Sequence, residues 1–403
     1  MTGFEELAKQ TALYPQEAPA LVKKQKSSLM IGLPKEVSFQ ENRIALTPEA
    51  VAILVRNGHE VLVEKGAGEG AKFTDRDYTE AGAQLVFSPK EVYAANLIMK
   101  VEPLVDKEFE YVKTGSTIIS ALNLPNHERQ YFEKLNEKKL TALGYEYIED
   151  RVGGMPVIRA MSEIAGSTVM LVAAEYLSSA NNGRGIILGG ITGVPPTKVV
   201  ILGAGTVAEY VARTALGLGA DIKVFDKYIY KLQRLKYAVG QNLYTSIIET
   251  DTLSEAIQRA DVVIGAMRAE DGLSPVVVTE EMVAKMRPDT VVIDVSIDQG
   301  GNFETSRMTT HKNPVYKHHD VIHYCVPNIA SRVAHSASLA LSNIFLPFLL
   351  QTGTLGGIEE MMYANRWFMK GVYCHNGMLT NAYIARKFNM RFKDLSLLMA
   401  ARI

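Results

Sequence analysis

A glycine-rich segment followed by an acidic residue carries the most specific chemistry in this sequence. Gly203, Gly205 and Ala208 have the spacing Gly-x-Gly-x-x-Ala after the apolar run 199–202, and Asp226 ends a second apolar run. Gly203 permits a tight turn from strand to helix, Gly205 leaves room for a pyrophosphate at the backbone, and Ala208 lets the helix lie close to the sheet. The order strand, turn, helix, strand and acid predicts a dinucleotide-binding fold. The alternative is a domain of the same fold that no longer binds a cofactor.

The chemistry of this turn also indicates which dinucleotide it would bind. Free N–H groups and the positive end of the helix dipole suit the pyrophosphate. The carboxylate of Asp226 can accept hydrogen bonds from the ribose hydroxyls and would repel a 2′-phosphate. The pattern therefore favours NAD over NADP as the cofactor.

Composition excludes several classes of partner. The chain has 403 residues, of which 47% are hydrophobic and 22% charged, with a formal net charge of −1. This length favours two domains, and the charge gives no reason to expect nucleic acid or an anionic membrane as a partner. The apolar runs, such as 344–350, are shorter than a bilayer requires. We therefore expect no membrane partner.

Residue usage indicates a reducing compartment. The N-terminal segment contains acidic residues and lacks the apolar stretch of a signal peptide. Two cysteines, Cys325 and Cys374, make a disulfide framework improbable. His318, His319 and His323 form a loose group that is more typical of solvated loop histidines than of a metal site. We therefore predict a cytoplasmic protein without a metal.

Alternating apolar strands and helices predict an α/β fold with two Rossmann-like domains, parallel doubly wound sheets and an interdomain cleft. Long helices are expected over 162–177 and 334–350, where the chain would cross between the domains. The predicted organisation is an N-terminal extension at 1–28 with a short helix around 5–13, a substrate domain at 29–160 plus 335–403, and an NAD-binding domain at 161–334. The apolar stretch 361–369 is expected to be core rather than a subunit contact.

Five further segments resemble one family. They are GLPKE at 32–36, ENRIALTP at 41–48, GAGEG at 66–70, MSEIAG at 161–166 and DVSIDQGG at 294–301. Together with the nucleotide motif, they resemble alanine dehydrogenases and the NAD-binding subunit of proton-translocating transhydrogenase over roughly residues 29–350. The order of the segments is more similar to alanine dehydrogenase, whereas residues 331–334 are more similar to the transhydrogenase branch.

The resemblance implies a reaction. In alanine dehydrogenases NAD takes a hydride from Cα of L-alanine, and the imine is hydrolysed to pyruvate and ammonia. By motif position, Arg43 would bind the substrate carboxylate, Lys100 would be the substrate-binding lysine, and Asp298 would handle proton transfer and the attacking water. Arginine suits a bidentate carboxylate contact. The resemblance also implies a homo-oligomer.

Further cofactor-binding positions follow from the same resemblance. They are Ser162, Lys231 and Asn328, in addition to Gly203, Gly205, Ala208 and Asp226. From its position alone, Lys231 could also be a charge on a helix surface.

One position departs from the family pattern. The family has a histidine after the strand that here ends near 122, where it exchanges protons with the substrate, and this chain has Asn123. An asparagine can donate a hydrogen bond to an oxyanion but cannot deliver a proton near neutral pH. The loop 267–272 also carries charges where the family is apolar. Alternative functions are therefore a dehydrogenase for another amino acid, a non-catalytic NAD-binding protein or, less favoured, a transhydrogenase subunit.

Overall fold

The computed structural model describes residues 27–124, 127–268 and 273–400. The helix predicted around 5–13, most of the extension 1–28 and part of the charged loop 267–272 lie outside these residues. Two sheets of mostly parallel strands with flanking helices form the described structure. This confirms the predicted α/β class with two Rossmann-like units.

The first sheet contains eight strands within the described residues, in the order β15-β14-β6-β5-β4-β1-β2-β3. Strands β1 to β6 run parallel, and the hairpin β14–β15 pairs antiparallel with β6. The strands are β1 (Met30–Leu33), β2 (Glu60–Glu64), β3 (Gln84–Val86), β4 (Leu97–Met99), β5 (Thr117–Ser120), β6 (Thr141–Gly144), β14 (Val372–His375) and β15 (Met378–Leu379).

The second sheet contains seven strands within the described residues, in the order β12-β13-β11-β10-β7-β8-β9. All neighbours run parallel except the edge strand β12, which pairs antiparallel with β13. The strands are β7 (Lys198–Leu202), β8 (Asp221–Asp226), β9 (Tyr244–Ile247), β10 (Val262–Gly265), β11 (Val291–Asp294), β12 (Val315–His318) and β13 (Val321–Tyr324).

Helices cover both sheets and connect the parallel strands. In chain order they are α1 (Pro48–Arg56), α2 (Asp75–Glu80), α3 (Pro89–Val92), α4 (Glu108–Tyr111), α5 (Arg129–Glu137), α6 (Pro156–Leu177), α7 (Thr206–Gly217), α8 (Ile229–Val239), α9 (Thr250–Gln258), α10 (Glu280–Ala284), α11 (Ala334–Leu355), α12 (Ile358–Ala364), α13 (Arg366–Met369), α14 (Ala382–Lys387) and α15 (Leu395–Ala400). Local sequence explains their ends. Helix α1 begins at a proline in the first helical position, and Gly58 follows it with φ +87°.

Helices α6 and α11 are long and apolar, and each packs into a core. Helix α6 supplies Val169, Met170 and Ala173 to the core of the second sheet, and α11 supplies Leu341 and Phe345 to that of the first. By length and composition alone both helices could span a bilayer, so the prediction that apolar segments are too short was wrong. Core helices of water-soluble proteins also meet this criterion, because a helix buried on several sides is apolar around its circumference.

Most predicted elements are confirmed, with shifts at their ends. The helix predicted at 162–177 begins earlier, at Pro156, and the helix predicted at 334–350 continues to Leu355 through an internal Pro347. The stretch 361–369 contributes Met361, Met362 and Phe368 to the first core, as expected. Strands β3, β9, β12, β14 and β15 were not predicted.

Candidate active site

Both sheets place a topological switch point at the carboxyl ends of their central strands. Reading from β3 to β6 and from β9 to β13, each sheet has the doubly wound order in which the first strand lies between the second and the fourth. Ligands of such sheets bind outside the carboxyl ends of the strands at this switch point. In the first sheet the switch lies between β1 and β4, and in the second between β7 and β10.

The glycine turn follows β7 and opens the helix α7. Gly203 has φ +106°, and a Cβ there would lie 2.6 Å from the carbonyl oxygen of Ala266, so a side chain is excluded on two counts. Gly205 is the residue before the first helical position, and a Cβ there would meet no atom within 4 Å. Ala208 is fully buried under the sheet. The turn thus has the shape predicted for it, with free space directly at Gly205.

A cavity of about 360 Å³ adjoins this turn. Its wall includes Gly205, Asp226, Lys231 and Arg268. Asp226 is buried, and its two carboxylate oxygens accept hydrogen bonds from the N–H groups of Ala204 and Tyr228, both at 2.8 Å. A carboxylate has further lone pairs for a ribose diol. The cavity, the space at Gly205 and the donor set of the helix start fit a dinucleotide.

Arg43 belongs to a buried network near the switch point of the first sheet. Its Nε and Nη2 donate to the two carboxylate oxygens of Glu41 at 2.8 and 2.6 Å. Burial alone would lower the pKa of the Arg43 guanidinium, but the Glu41 carboxylate outweighs burial and raises it. Burial likewise disfavours the charge on Glu41, yet Arg43 and Asn328 lower the pKa of that carboxyl. Both groups are therefore charged at neutral pH.

Asn328 connects this network to the second sheet. Its Nδ2 donates to Glu41 Oε2 at 2.7 Å, and its backbone adopts the left-handed conformation with φ +55°. A neighbouring bond runs from the N–H of Asn42 to Ser331 Oγ at 2.9 Å. Asn328 was predicted to bind the cofactor. In this structure its side-chain amide joins the carboxyl ends of the two sheets.

Lys100 has a different environment from the one predicted for a substrate-binding group. It follows β4, its side chain has no exposed area, and its Nζ lies 2.6 Å from Glu108 Oε1 and 3.4 Å from Glu36 Oε2. Burial would lower the pKa of Lys100, but these two carboxylates raise it. The ammonium is thus enclosed by acidic groups, and its contact with a substrate remains a prediction that this geometry does not support.

Asn123 is the third residue after β5, at the position where the family pattern has its histidine. Its backbone has φ +48°, and its N–H and that of Leu122 both donate to Glu146 Oε1, at 3.0 and 2.7 Å. The other oxygen of Glu146 is buried and has no hydrogen-bond partner in the described part of the chain. Burial raises the pKa of Glu146, although the N–H groups and the charge of Arg268 oppose this.

Asp298 and Arg268 approach the same region from the second sheet. Asp298 lies in the short helix after β11, with an accessible side chain in a recess. Desolvation by the surrounding protein raises the pKa of the Asp298 carboxyl, and the positive charge of Arg268 partly counteracts this. Arg268 Nε lies 2.9 Å from the Gln299 side-chain oxygen when that amide is oriented to accept it. The charge of Arg268 thus acts on Glu146 from one sheet and on Asp298 from the other.

Two acidic residues of this site, Glu102 and Glu146, were missed in the sequence. Glu102 Oε1 lies 3.7 Å from Arg43 Nη2, and its side chain is 20% exposed. The signal that could have identified Glu102 is its position two residues after the strand-end lysine. Met161 Sδ lies 3.4 Å from Arg43 Nη1, which places the neighbouring Ser162, partly buried on α6, close to the same network.

The histidine group lies apart from this site and differs from the prediction. His323 is fully buried on β13 rather than solvated, and it contacts Thr305 Oγ1 and the carbonyl oxygen of Val321. His319 is exposed and His318 is partly buried, and each Nε2 lies 2.9 Å from Glu280 Oε1. In the described part of the chain, Glu280, His318 and His319 are the residues that come close enough to share a metal ion. Cys325 and Cys374 are both buried and form no disulfide with each other.

Comparisons with known proteins agree with this architecture. Residues 32–165 match "Alanine dehydrogenase/PNT, N-terminal domain", and residues 169–382 match "Alanine dehydrogenase/PNT, C-terminal domain". An alanine dehydrogenase of Staphylococcus saprophyticus is 38% identical over 91% of this chain and 99% of its own length.

Solved structures give the same result. An L-alanine dehydrogenase superposes with a TM-score of 0.84 at 34% identity, covering 90% of this chain and 99% of the other. A transhydrogenase from Sinorhizobium meliloti gives a TM-score of 0.75 at 25% identity, covering 88% and 99%. On the match of both family domains across nearly its whole length, this chain belongs to the alanine dehydrogenase/PNT family.

Proposed function

We propose that this protein catalyses the NAD-dependent oxidative deamination of an L-amino acid, with L-alanine converted to pyruvate and ammonia. One observation carries the proposal: the glycine turn with its cavity and the Arg43 network lie at the switch points of two sheets that Asn328 and Glu41 join. A dinucleotide at one switch point and an amino acid at the other would then face each other. We further propose that the protein is cytoplasmic and forms a homo-oligomer, and light scattering on the purified protein would test the oligomeric state.

The residues that would hold the dinucleotide follow from the glycine turn. The N–H groups at the start of α7 would bind the pyrophosphate, and Asp226 would accept hydrogen bonds from the adenosine ribose. Lys231, on the same cavity wall, would add positive charge near the phosphates. NAD⁺, when bound, supplies the hydride acceptor of the reaction. The carboxylate of Asp226 supports NAD⁺ rather than NADP⁺.

The substrate would bind through the side of Arg43 that faces away from Glu41. Two guanidinium nitrogens are engaged by Glu41, while Nη1 contacts Met161 and Nη2 also faces Glu102. A substrate carboxylate bound to Nη1 and to the second N–H of Nη2 would fix the orientation of the amino acid. Asp298, accessible in its recess, would accept a proton from the water that attacks the imine carbon.

Two observations favour a second candidate, an NAD-binding protein without turnover. Asn123 cannot exchange a proton near neutral pH, and the ammonium of Lys100 is enclosed by Glu36 and Glu108. The family resemblance assigns a proton-exchanging histidine to position 123 and a substrate-binding lysine to position 100. In this chain neither function is available from these side chains. A dehydrogenase acting on a different amino acid would explain the same two features.

Purified protein assayed for NADH formation with L-alanine at alkaline pH tests the proposal. A panel of other L-amino acids and a variant Asn123→His would be measured in parallel, and NADH binding would be followed by its fluorescence. Turnover with L-alanine supports the leading function, and turnover with another member of the panel changes the substrate. NADH binding without any turnover, in wild type and variant alike, would favour the non-catalytic candidate.

A further inference from the structure

Glu102 is the accessible carboxyl of the acidic network around Arg43. Its side chain is 20% exposed, compared with 0% for Glu41, 5% for Glu36 and 7% for Glu108. Those three acids are held by an arginine or a lysine, by backbone N–H groups or by both. In the described part of the chain the carboxyl of Glu102 accepts no hydrogen bond, and its ion pair with Arg43 is long at 3.7 Å.

The position of Glu102 relative to Arg43 suits the two charged groups of an amino acid. Glu41 engages Nε and one N–H of Nη2, which leaves Nη1 and the second N–H of Nη2 for a ligand, and Glu102 lies 3.7 Å from Nη2. In an α-amino acid the carboxylate and the ammonium are attached to the same carbon. A substrate whose carboxylate binds Arg43 would therefore bring its ammonium close to Glu102.

The charges facing Glu102 come from several elements. Arg43, Glu41 and Glu36 belong to the segment after β1, and Glu146 and Tyr145 follow β6. Burial contributes most to the shift of the Glu102 carboxyl, and the neighbouring acids add to it while Arg43 opposes it. Together they raise the pKa of Glu102 to about 7. A carboxyl of this kind changes its proton occupancy near neutral pH, which an asparagine cannot do.

We propose that Glu102 is a catalytic residue of this site, and that it accepts the proton from the substrate ammonium before Cα is oxidised. This assignment rests on the function proposed above. It gives Glu102 a proton-carrying role that Asn123 cannot fill.

The step balances as a single proton transfer. One N–H bond of the ammonium breaks, an O–H bond forms on Glu102, and the nitrogen keeps the electron pair. The products are a neutral amine with a lone pair and a neutral carboxylic acid. The neutral acid no longer competes with the substrate carboxylate for Arg43. In the reverse direction Glu102 returns the proton to the amine.

Steady-state kinetics across pH tests the assignment with three variants. Wild type should lose kcat/KM for L-alanine as the pH falls through about 7, because protonated Glu102 cannot accept the proton. Glu102→Gln should lower kcat by about 10²–10⁴-fold and remove this acidic limb. Glu102→Asp should restore part of the rate with a shifted limb, and the exposed Glu110→Gln should behave as wild type. An unchanged kcat and an unchanged limb in Glu102→Gln would overturn the proposal.

A binding measurement separates this proposal from the proposed function. Pyruvate would be titrated into the complex of the protein with NADH, with NADH fluorescence as the signal. In wild type the affinity for pyruvate should fall as the pH rises through about 7, because ionised Glu102 competes for Arg43, and Glu102→Gln should be insensitive. Pyruvate binding with the same pH dependence in both proteins would refute the role of Glu102 even if turnover occurs. Normal NADH binding with neither pyruvate binding nor turnover would overturn the proposed function, and this role with it.

Discussion

The glycine turn allows a sharp test because α7 has a glycine near each end. We compare Gly205→Ala at its start with Gly217→Ala at its last residue. Neither residue has a left-handed φ, and a Cβ would meet no atom within 4 Å at either site. Neither substitution thus creates a steric clash or backbone strain, although Gly205 is the N-cap residue, where glycine is preferred to alanine. They differ in that Gly205 lines the cavity and Gly217 does not.

The expected magnitudes follow from this difference. At Gly205 the methyl group would occupy the space that a pyrophosphate needs, so at least one charge-assisted hydrogen bond to the helix start is lost. Such a bond contributes about 1.5–3 kcal/mol, which corresponds to an increase in Kd of about 10–150-fold. Gly217→Ala should leave Kd unchanged. It should increase the free energy of unfolding by up to about 1 kcal/mol, since alanine favours helix over glycine.

Two assays measure both quantities. NADH fluorescence titration gives Kd, and urea unfolding gives the free energy of unfolding. Gly205→Ala should weaken NADH binding while it lowers the free energy of unfolding by no more than about 1 kcal/mol. If Gly205→Ala and Gly217→Ala bind NADH equally well, the pyrophosphate does not lie at this turn. A loss of stability in Gly205→Ala comparable to its loss of binding would show that the space at Gly205 is not free.

Three other predictions concern buried titratable groups. Lys100→Met should lower the free energy of unfolding by about 3–5 kcal/mol, because two buried carboxylates lose their partner. Lys90→Met, at an exposed position, is the control. Identical urea unfolding curves for the two variants would contradict the prediction. Arg43→Lys, which cannot replace the bidentate contact with Glu41, should raise the KM for pyruvate about 10-fold or more, and an unchanged KM would place the substrate elsewhere. His323 is buried with its pKa lowered to about 4, so the unfolded chain binds its proton first as the pH falls. Wild type should lose about 2 kcal/mol of unfolding free energy between pH 7 and pH 5 through this residue, and urea unfolding of His323→Gln should show a correspondingly weaker pH dependence.

Local patterns in the sequence were sufficient for much of the fold and for the glycine turn. Strands such as β7, β10 and β11 are short apolar runs next to turn residues, so their positions follow from neighbouring residues alone. The spacing from Gly203 to Asp226 is likewise set within one strand–helix–strand unit. The hairpin β14–β15 was not predicted, because its partner β6 is remote in the sequence.

The substrate side of the site shows where local patterns fail. A lysine at the end of a strand is usually solvated, and the sequence does not reveal that Glu36 and Glu108 converge on Lys100. The importance of Glu102 and Glu146 likewise depends on distances between separate loops. Arg43 was recognised through its motif, but its ion pair with Glu41 fixes which of its nitrogens remain for a ligand.

The return of the chain to the first sheet has a consequence for biosynthesis. Strand β6 pairs with β14, and the first core is completed by α11 and by Met361, Met362 and Phe368. Because a ribosome synthesises these parts after β1 to β6, those strands emerge with an unpaired sheet edge and an incomplete core. Such a nascent edge is prone to pair with other chains. Residues 334–375, which follow the site residue Asn328 in the sequence, therefore determine when the first unit can fold.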